Sequence, residues 1–463
     1  MVEYENYKRC TQIFGENFPS HWKIKPIYGI AHEKKISDCT DLKLLSVYLD
    51  LGVIPFSQKV EKRTNVTSLD LSKYQRVDPG DFVLNNQQAW RGSVGVSRYT
   101  GIVSPAYIVL ELDGGNNSDF MNYMLRSHTM VDQYVINSKS VGSIQRNIHW
   151  ISIKRTYVPI PPRAEQDQIV RFLDWKVSEI NKLIGIRRKE IQELRALKSA
   201  VINSAITRGI DANVAMKRTG VYYLPEVPAS WKVTKLKRIC KVGASINDLI
   251  REHSDQDEVV FLPMENISED GEIDCSIKQP IAKVKTGFSS FAKNDVVVAK
   301  ITPCFENGKG ACLDKLESDI GYGTTELFNL RAGNNVLPEY LYFITMTKLF
   351  RILGEGQMTG SAGQKRVPAD FIRDFTIGLP PIDEQQEIVD FIRSEKGRIN
   401  RLIATKHEQL KALTEFKSSV VSDAVTGKID VRNVTVPEYE HVDDIVDDDS
   451  ENNEETETDG EEA

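Results

Sequence analysis

Hydrophobic and polar positions along this chain follow two rhythms, and both recur in order. From Leu173 the apolar positions fall four and three apart: Leu173, Val177, Ile180 and Ile184, then Ile191, Leu194, Val201 and Ala205. The spacing returns as Ile392, Ile399, Ile403, Leu410, Leu413, Val420 and Ala424. A heptad seam of this kind predicts two long helices that supercoil as a pair. Each stretch opens on a Pro-Pro pair, Pro161-Pro162 or Pro380-Pro381, which a helix interior excludes and a helix start accepts; Glu165, or Asp383 and Glu384, then suits the helix dipole. No proline follows before Thr207 or Thr426, and at ~1.5 Å per residue about 40 residues make a rod of roughly 60 Å. Arg187 and Lys198 break the first seam, and Lys406 and Lys417 break the second at the same heptad positions. Basic side chains there lower stability and pin register.

The two stretches are copies. Pro161 to Asp211 returns without a gap as Pro380 to Asp430, every pair 219 residues apart. Of 51 aligned pairs 19 are identical, too many for chance, among them Glu165/Glu384, Gln166/Gln385, Phe172/Phe391, Asn181/Asn400, Lys198/Lys417 and Thr207/Thr426. Internal symmetry therefore organises the fold. The longer segments between the helices are worn copies. Pro19-x-x-Trp22-Lys23 matches Pro228-x-x-Trp231-Lys232 at an offset of 209, Asp81-Phe82-Val83 matches Asp295-Val296-Val297 at 214, and the stretches from Asp119 and Pro338 match at 219. In each, short β runs (Asp81 to Leu84 and Ala106 to Leu110; Val296 to Ala299 and Glu326 to Leu330) precede a helix, about Ser118 to Val135 or Pro338 to Leu353. A polar loop follows, Val141 to Asn147 or Thr359 to Arg366. The predicted class is α+β: two mixed α/β domains joined by two long helices, with an internal pseudo-two-fold repeat. The segments read as 1–21, completing a circular pseudo-repeat; a domain at 22–160; a helical spacer at 161–212; a linker at 213–230; a second domain at 231–379; a second spacer at 380–433; and an acidic tail at 434–463.

Length and composition narrow the class. A chain of 463 residues exceeds what one core organises, which agrees with two globular units. No apolar run approaches the roughly 18 residues of a membrane span, and the start lacks a signal-peptide pattern, so a cytoplasmic location is expected. The six cysteines form no Cys-x-x-Cys pair and the seven histidines no ligand spacing with them, so reduced, mostly buried thiols are expected and zinc is not. The net charge of −7 hides an asymmetry: no Lys or Arg follows Arg432, while Val434 to Ala463 holds 14 Asp and Glu. Without them, 59 basic side chains face 52 acidic ones, so the body is basic at +7 and the self-repelling tail is expected to be disordered. The tail reads as solubilising, or as a competitor with nucleic acid for a basic face.

A search for catalytic patterns finds none. There is no Gly-x-Gly-x-x-Gly, no His-Glu-x-x-His and no Asn/Asp-Pro-Pro-aromatic motif; Gly308-Lys309 resembles the end of a phosphate loop, but Pro303 and Gly310 occupy its essential positions. The chain reads as non-catalytic, binding no cofactor or metal itself. Recognition chemistry remains. Asn85, Asn86, Gln87 and Gln88, followed by Trp90 and Arg91, set four amides, an aromatic ring and a guanidinium just after a strand. Asn and Gln can pair bidentately with adenine, and Arg with guanine. Gln145, Arg146 and Asn147 in one loop, and Gln364, Lys365 and Arg366 in the other, place phosphate-binding charge beside base-reading amides. Lys300 and Lys309 flank a further turn in the second copy.

The chain resembles the specificity (S) subunit of Type I restriction–modification systems over nearly its whole length. The resemblance is carried by Pro-Pro-x-x-Glu-Gln-x-x-Ile-Val-x-Phe at Pro161 to Phe172 and Pro380 to Phe391, by the helix ends at Lys198 to Asp211 and Lys417 to Asp430, and by the Trp22-Lys23 and Trp231-Lys232 openings. It implies two target recognition domains, each reading half of a split double-stranded DNA sequence, and two helical spacers that pair as an antiparallel coiled coil and fix the unread gap. Glu165, Gln166, Phe172, Glu384, Gln385 and Phe391 belong to those spacer and partner helices. The implied partners are methyltransferase subunits and restriction/translocase subunits, two of each, using S-adenosylmethionine, ATP and Mg. The acidic tail after Asn433 departs from the pattern. Half-sites one turn apart are separated by ~34 Å, within reach of two readers on such a rod. Because the two domains differ in sequence, an asymmetric bipartite target is expected. Two rivals remain: a coiled-coil scaffold with two protein-binding domains and no DNA role, and an enzyme with an unrecognised site.

Overall fold

The computed structural model describes all residues except 1, 12, 14, 15, 50, 59–69, 142–144, 362 and 444–463. The chain divides into two compact units, Met1–Lys189 with His407–Ala463, and Glu190–Lys406. The division cuts through both long helices, Arg163–Arg208 and Ile382–Val425. Each unit therefore holds one globular segment, part of one helix and the complementary part of the other.

The two globular segments repeat one sheet. In the first unit the strand order is Ala31–Glu33, Tyr107–Leu112, Asp81–Asn85, Val94–Val96; in the second it is Cys240–Val242, Leu327–Ala332, Val296–Ala299, Gly310–Cys312, with every neighbouring pair antiparallel. The central strands are apolar without alternation because both faces are covered. Phe82 and Leu84 point into a core with Phe120, Met124 and Tyr134, while Val83 and Val109 join Leu45, Val47, Val77 and Val103 on the other face. In the second unit Val296 and Val298 meet Tyr340, Leu341 and Phe350, and Val297 and Ala299 meet Val260, Leu262 and Phe291. There the outer layer includes a four-stranded sheet built on a parallel pair, Glu258–Leu262 with Ile320–Gly323. In the first unit two antiparallel pairs fill this role, Leu45–Tyr48 with Gly52–Pro55 and Gln75–Val77 with Gly101–Val103. No periodic pattern along the chain marks this outer layer.

The single helix expected in each segment is two. Ser118–Leu125 stops and His128–Asn137 begins across an extended Ser127; Pro338–Met346 and Lys348–Glu355 meet across an extended Thr347. The Thr347 hydroxyl accepts from the Phe350 backbone N–H, a cap that competes with continuing the helix. The loop expected at Val141–Asn147 is a hairpin, Lys139–Val141 with Gln145–Asn147; residues 142–144 and the Gln145 side chain lie outside the described residues.

The basic residues that break the heptad seams have partners. In the first unit Lys417 Nζ donates to Asn181 Oδ1 at 3.1 Å; in the second, Lys198 Nζ donates to Asn400 Oδ1 at 3.1 Å and Lys406 sits 3.0 Å from Glu190. The repeat-identical Asn181/Asn400 and Lys198/Lys417 pairs are thus two ends of one duplicated bond.

Two expectations change. Residues 434–443, placed in a disordered tail by their composition, lie extended along the first long helix: Gln168 Nε2 donates to the carbonyls of Val431 (3.1 Å) and Val434 (2.8 Å), and Asn181 Nδ2 to that of Val442 (3.0 Å). The rest of the tail, 444–463, lies outside the described residues. Of the six free cysteines, Cys10, Cys240 and Cys312 are buried, whereas Cys39, Cys275 and Cys304 are half-buried. Among the described residues no helix is long and apolar enough to cross a membrane, and no His, Cys, Asp and Glu group could hold a metal ion.

Candidate nucleic-acid interface

Each globular segment is fixed to its helix by the same joint. Trp22 Nε1 donates to Glu165 Oε1 at 2.9 Å, and Trp231 Nε1 to Glu384 Oε1 at 2.7 Å. The adjacent amide performs a second duplicated task. Gln166 donates to the Pro161 carbonyl (2.9 Å) and accepts from the Asn117 N–H (2.7 Å); Gln385 donates to the Pro380 carbonyl (2.9 Å) and accepts from the Leu337 N–H (2.9 Å). Asn117 and Leu337 are the N-caps of the helices starting at Ser118 and Pro338, so the Glu-Gln dipeptide orients the segment on the helix. Glu165, Gln166 and Gln385 are buried, and these side chains hold their unit together. Phe172 is 3 % exposed while its counterpart Phe391 is 40 % exposed.

The polar loops are positioned by a third duplicated bond. The Asn86 carbonyl accepts from the Ile148 N–H at 2.9 Å, and the Lys300 carbonyl accepts from the Val367 N–H at 2.9 Å. This sets the residues after the central strand against those after the domain helices, and makes Gln145-Arg146-Asn147 the counterpart of Gln364-Lys365-Arg366.

In the second unit all five expected residues reach one edge. The Thr302 N–H donates to the Lys365 carbonyl at 3.0 Å, and Arg366 bridges to Ile301 and Thr359. Gln364, Lys365 and Arg366 are exposed, while Lys300 and Lys309 are half-buried. Arg366 forms a two-pronged pair with Glu326 at 2.9 and 2.8 Å, which holds the Glu326 carboxyl below its ordinary range. The Lys300 ammonium lies 5.1 Å from the Phe328 ring centroid, and burial pushes its pKa down. Lys309 Nζ donates to the Met264 carbonyl at 3.1 Å. The turn between these lysines is braced from inside by Arg351, which donates to the carbonyls of Phe305 (2.7 Å) and Gly308 (3.2 Å); burial lowers its pKa to about 10.

In the first unit the amide cluster folds around Trp90. Asn85 Oδ1 accepts from the Gln87 N–H at 3.1 Å, Trp90 Nε1 donates to the Gln87 carbonyl at 2.9 Å, and the guanidiniums of Arg91 and Arg146 stand 5.0 and 5.9 Å from the Trp90 ring. Gln87 and Arg91 are exposed; Asn85, Asn86, Gln88 and Asn147 are half-buried. Arg146 departs from its expected role as a free phosphate contact. It is half-buried and donates to the Val135 carbonyl (3.1 Å) and Ser138 Oγ (3.3 Å), closing the end of the helix His128–Asn137. Beside Asn86 a cleft of about 400 Å³ is lined by Lys35, Lys73, Gln75, His149 and Trp150 among others, and the buried Asn86 Oδ1 has no hydrogen-bond partner among the described residues. Glu326, His149 and Trp150 were not singled out in the sequence. Glu326 acquires its significance only from a partner 40 residues away.

Each edge thus combines amides, cations and an aromatic ring, the groups that read base edges and grip phosphates. Residues 19–195 and 228–412 match the family model described as the Type I restriction modification DNA specificity domain. The Type I restriction enzyme EcoAI specificity subunit of Escherichia coli is 43 % identical over 167 residues, which cover 35 % of this chain and 28 % of that protein, so the match spans about a quarter of that relative's length. The MjaVIII specificity subunit of Methanocaldococcus jannaschii is 22 % identical over 449 residues, 93 % of this chain and 97 % of that one. A chain from a solved structure of a type I R-M system shares the fold, with a TM-score of 0.61 at 13 % identity, covering 89 % of this chain and 99 % of that chain. Two copies of the matched domain occupy well over half of the sequence, and the chain belongs to the Type I restriction modification DNA specificity family.

Proposed function

We propose that this chain is the sequence-reading subunit of a Type I restriction–modification complex. Each globular segment reads one half of a bipartite double-stranded DNA target. The supporting observation is the twice-made bond from the strand-end carbonyl of Asn86 or Lys300 to Ile148 or Val367, which gathers amide- and cation-bearing loops at equivalent places in both segments. Their side chains differ between copies, so the two half-sites differ and the target is asymmetric. The two long helices act as an antiparallel spacer. Support comes from the second unit, where Glu190 faces Lys406 and Lys198 faces Asn400, so numbers rise on one helix as they fall on the other.

The chain supplies no catalysis in this reading. Two methyltransferase subunits bring S-adenosylmethionine, and two restriction/translocase subunits bring ATP and Mg. Phosphate contacts make DNA binding fall steeply with salt. The test is to express the chain with and without a methyltransferase subunit and map methylated positions in the host genome. One asymmetric split motif, methylated only when both proteins are present, is expected; methyl transfer by the chain alone, or unmethylated DNA with both, overturns the reading. Salt-independent retention of DNA in a filter assay would favour the protein scaffold.

A further inference from the structure

The two long helices are copies, yet residues 434–443 cover one stripe of the first, whereas on the second, among the described residues, Glu387, Asp390, Phe391, Ser394 and Arg401 of the matching stripe are exposed and Asp270 approaches only the far end, its carbonyl accepting from Lys396. On the first helix Gln168, Arg171, Trp175, Ser178 and Lys182 form a three-four stripe, and residues 434–443 lie against it. Recognition is largely through the main chain. Gln168 Nε2 donates to two carbonyls and Asn181 Nδ2 to a third, Ser178 Oγ accepts from the Val442 N–H at 3.4 Å and lies 3.4 Å from His441 Nδ1, and Lys182 stands 3.8 Å from Glu440. Val434, Val436, Tyr439 and Val442 are half-buried, and Glu438, Glu440 and Asp443 are exposed. At the far end His441, Val442 and Asp443 line a cleft of about 660 Å³ together with Arg98, Arg126 and Arg188.

The duplication supplies an internal control. At the 219-residue offset Gln168 becomes Glu387 and Ser178 becomes Gly397. A carboxylate at the first position would repel the carbonyls that Gln168 holds, and glycine offers no hydroxyl. Among the described residues, the strap lies on the copy with the fitting side chains. The burial difference matches: Phe172 belongs to the apolar cluster against which Val434 of the strap packs and lies 6.3 Å from Trp175, whereas Phe391 is 40 % exposed.

We propose that residues 434–443 are an intramolecular occupant of a partner-docking face on the first long helix, so that of two pseudo-equivalent faces one is covered in cis and the other is open. This rests on the reading above, in which two methyltransferase subunits dock on the chain. The open face, with Phe391, takes its subunit directly. The covered face takes one only after the strap leaves, and main-chain bonds with half-buried anchors make that release reversible. The strap is an autoinhibitory contact that renders loading sequential.

The full-length chain carrying Gln168→Glu, the residue of the second copy, with Ser178→Ala tests this by two readouts. Hydrogen exchange of the Val442 amide and its neighbours should accelerate at least tenfold while thermal unfolding of the chain stays where it was; unchanged protection overturns the strap. Calorimetric titration with the methyltransferase subunit should give two unequal steps for the parent chain, and in the variant the weaker step should approach the stronger. Two indistinguishable steps in the parent overturn the gate alone. No binding to either chain overturns the proposed function and the gate together, and the exchange result still decides whether the strap is held as described.

Discussion

The buried amide of Gln385 offers a quantitative test of how the second unit is held together. Its side chain is fully buried and makes three hydrogen bonds, to the carbonyls of Pro380 (2.9 Å) and Asn335 (3.0 Å) and from the N–H of Leu337 (2.9 Å). Gln385→Ala deletes all three; the carbonyl of the exposed Asn335 can turn to water, and the Leu337 N–H and the Pro380 carbonyl are left unpaired. Each such group costs about 1–3 kcal/mol. Alanine offsets up to about 2 kcal/mol of this, because a glutamine loses rotamer freedom on burial. The net expectation is a loss of about 2–4 kcal/mol, or roughly 5–10 °C in melting temperature for a unit of this size. Urea unfolding followed by the fluorescence of Trp231, the one tryptophan of that unit, reads the change beside the joint it shares with Glu384. Gln385→Glu keeps the acceptor, loses both donors and buries a charge, so it should be worse than alanine. A loss below about 1 kcal/mol for Gln385→Ala would show that the Leu337 N–H and the Pro380 carbonyl find other partners, and the account of the Glu-Gln signature as a structural joint would fail.

Three further outcomes are expected. Arg366→Ala should weaken DNA binding and relax one half-site while the other keeps its preference, with the salt slope falling by about one; an unchanged footprint and slope refute the assignment of this edge. Arg146→Ala should impair its own half-site through a loosened hairpin, with faster hydrogen exchange at Val135 to Asn147, because Arg146 closes a helix end; impaired binding with unaltered exchange would restore it as a direct contact. Burial raises the pKa of Asp174 above its unfolded value, although the Tyr123 hydroxyl donates to it at 2.9 Å. The folded state therefore holds the proton more tightly, and this carboxyl adds stability as pH falls through its folded pKa and withdraws it as pH rises. Asp174→Asn should accordingly raise the melting temperature at pH 8 and lose that advantage toward pH 4; an advantage that grows on acidification would reverse the sign.

What the sequence made legible was periodic. The heptad seams gave the long helices to within two residues at either start, and the apolar runs of Asp81–Leu84 and Val296–Ala299 gave the central strands. The breaks at Ser127 and Thr347 were not legible, since both side chains are tolerated inside helices and only the extended backbone of the fold turns them into stops. Long-range pairs were hidden for a simpler reason. Nothing near Arg366 marks Glu326 as its partner, and nothing near Arg146 marks the end of the helix at Val135, so two guanidiniums that looked alike have different duties. The tail misled by averaging. Thirty residues with 14 carboxylates read as uniformly acidic, and the Val-x-Val-x-x-Tyr-x-x-Val spacing of its first nine was lost in the sum.

The drifting offsets now have a structural meaning. The Trp–Glu joint is made by residues 143 apart in the first copy and 153 apart in the second, so ten residues have been added between partners whose bond is unchanged. Five of them lie before Asp295 and five between it and Pro338, as the offsets of 209, 214 and 219 require. The additions fall in the globular segment, where the second unit builds its four-stranded outer sheet. Lengthening a loop whose ends are already closed costs little, because closure entropy grows only with the logarithm of length. The joint, the seam lysine with its asparagine, and the strand-end carbonyl bond supply that closure in both copies. A frame fixed by these duplicated bonds lets the polar edges proposed to read DNA change side chains and outer layers while their mounting on the helices stays the same. That separation is what a family needs if new DNA targets are to arise without redesigning the chain that presents them.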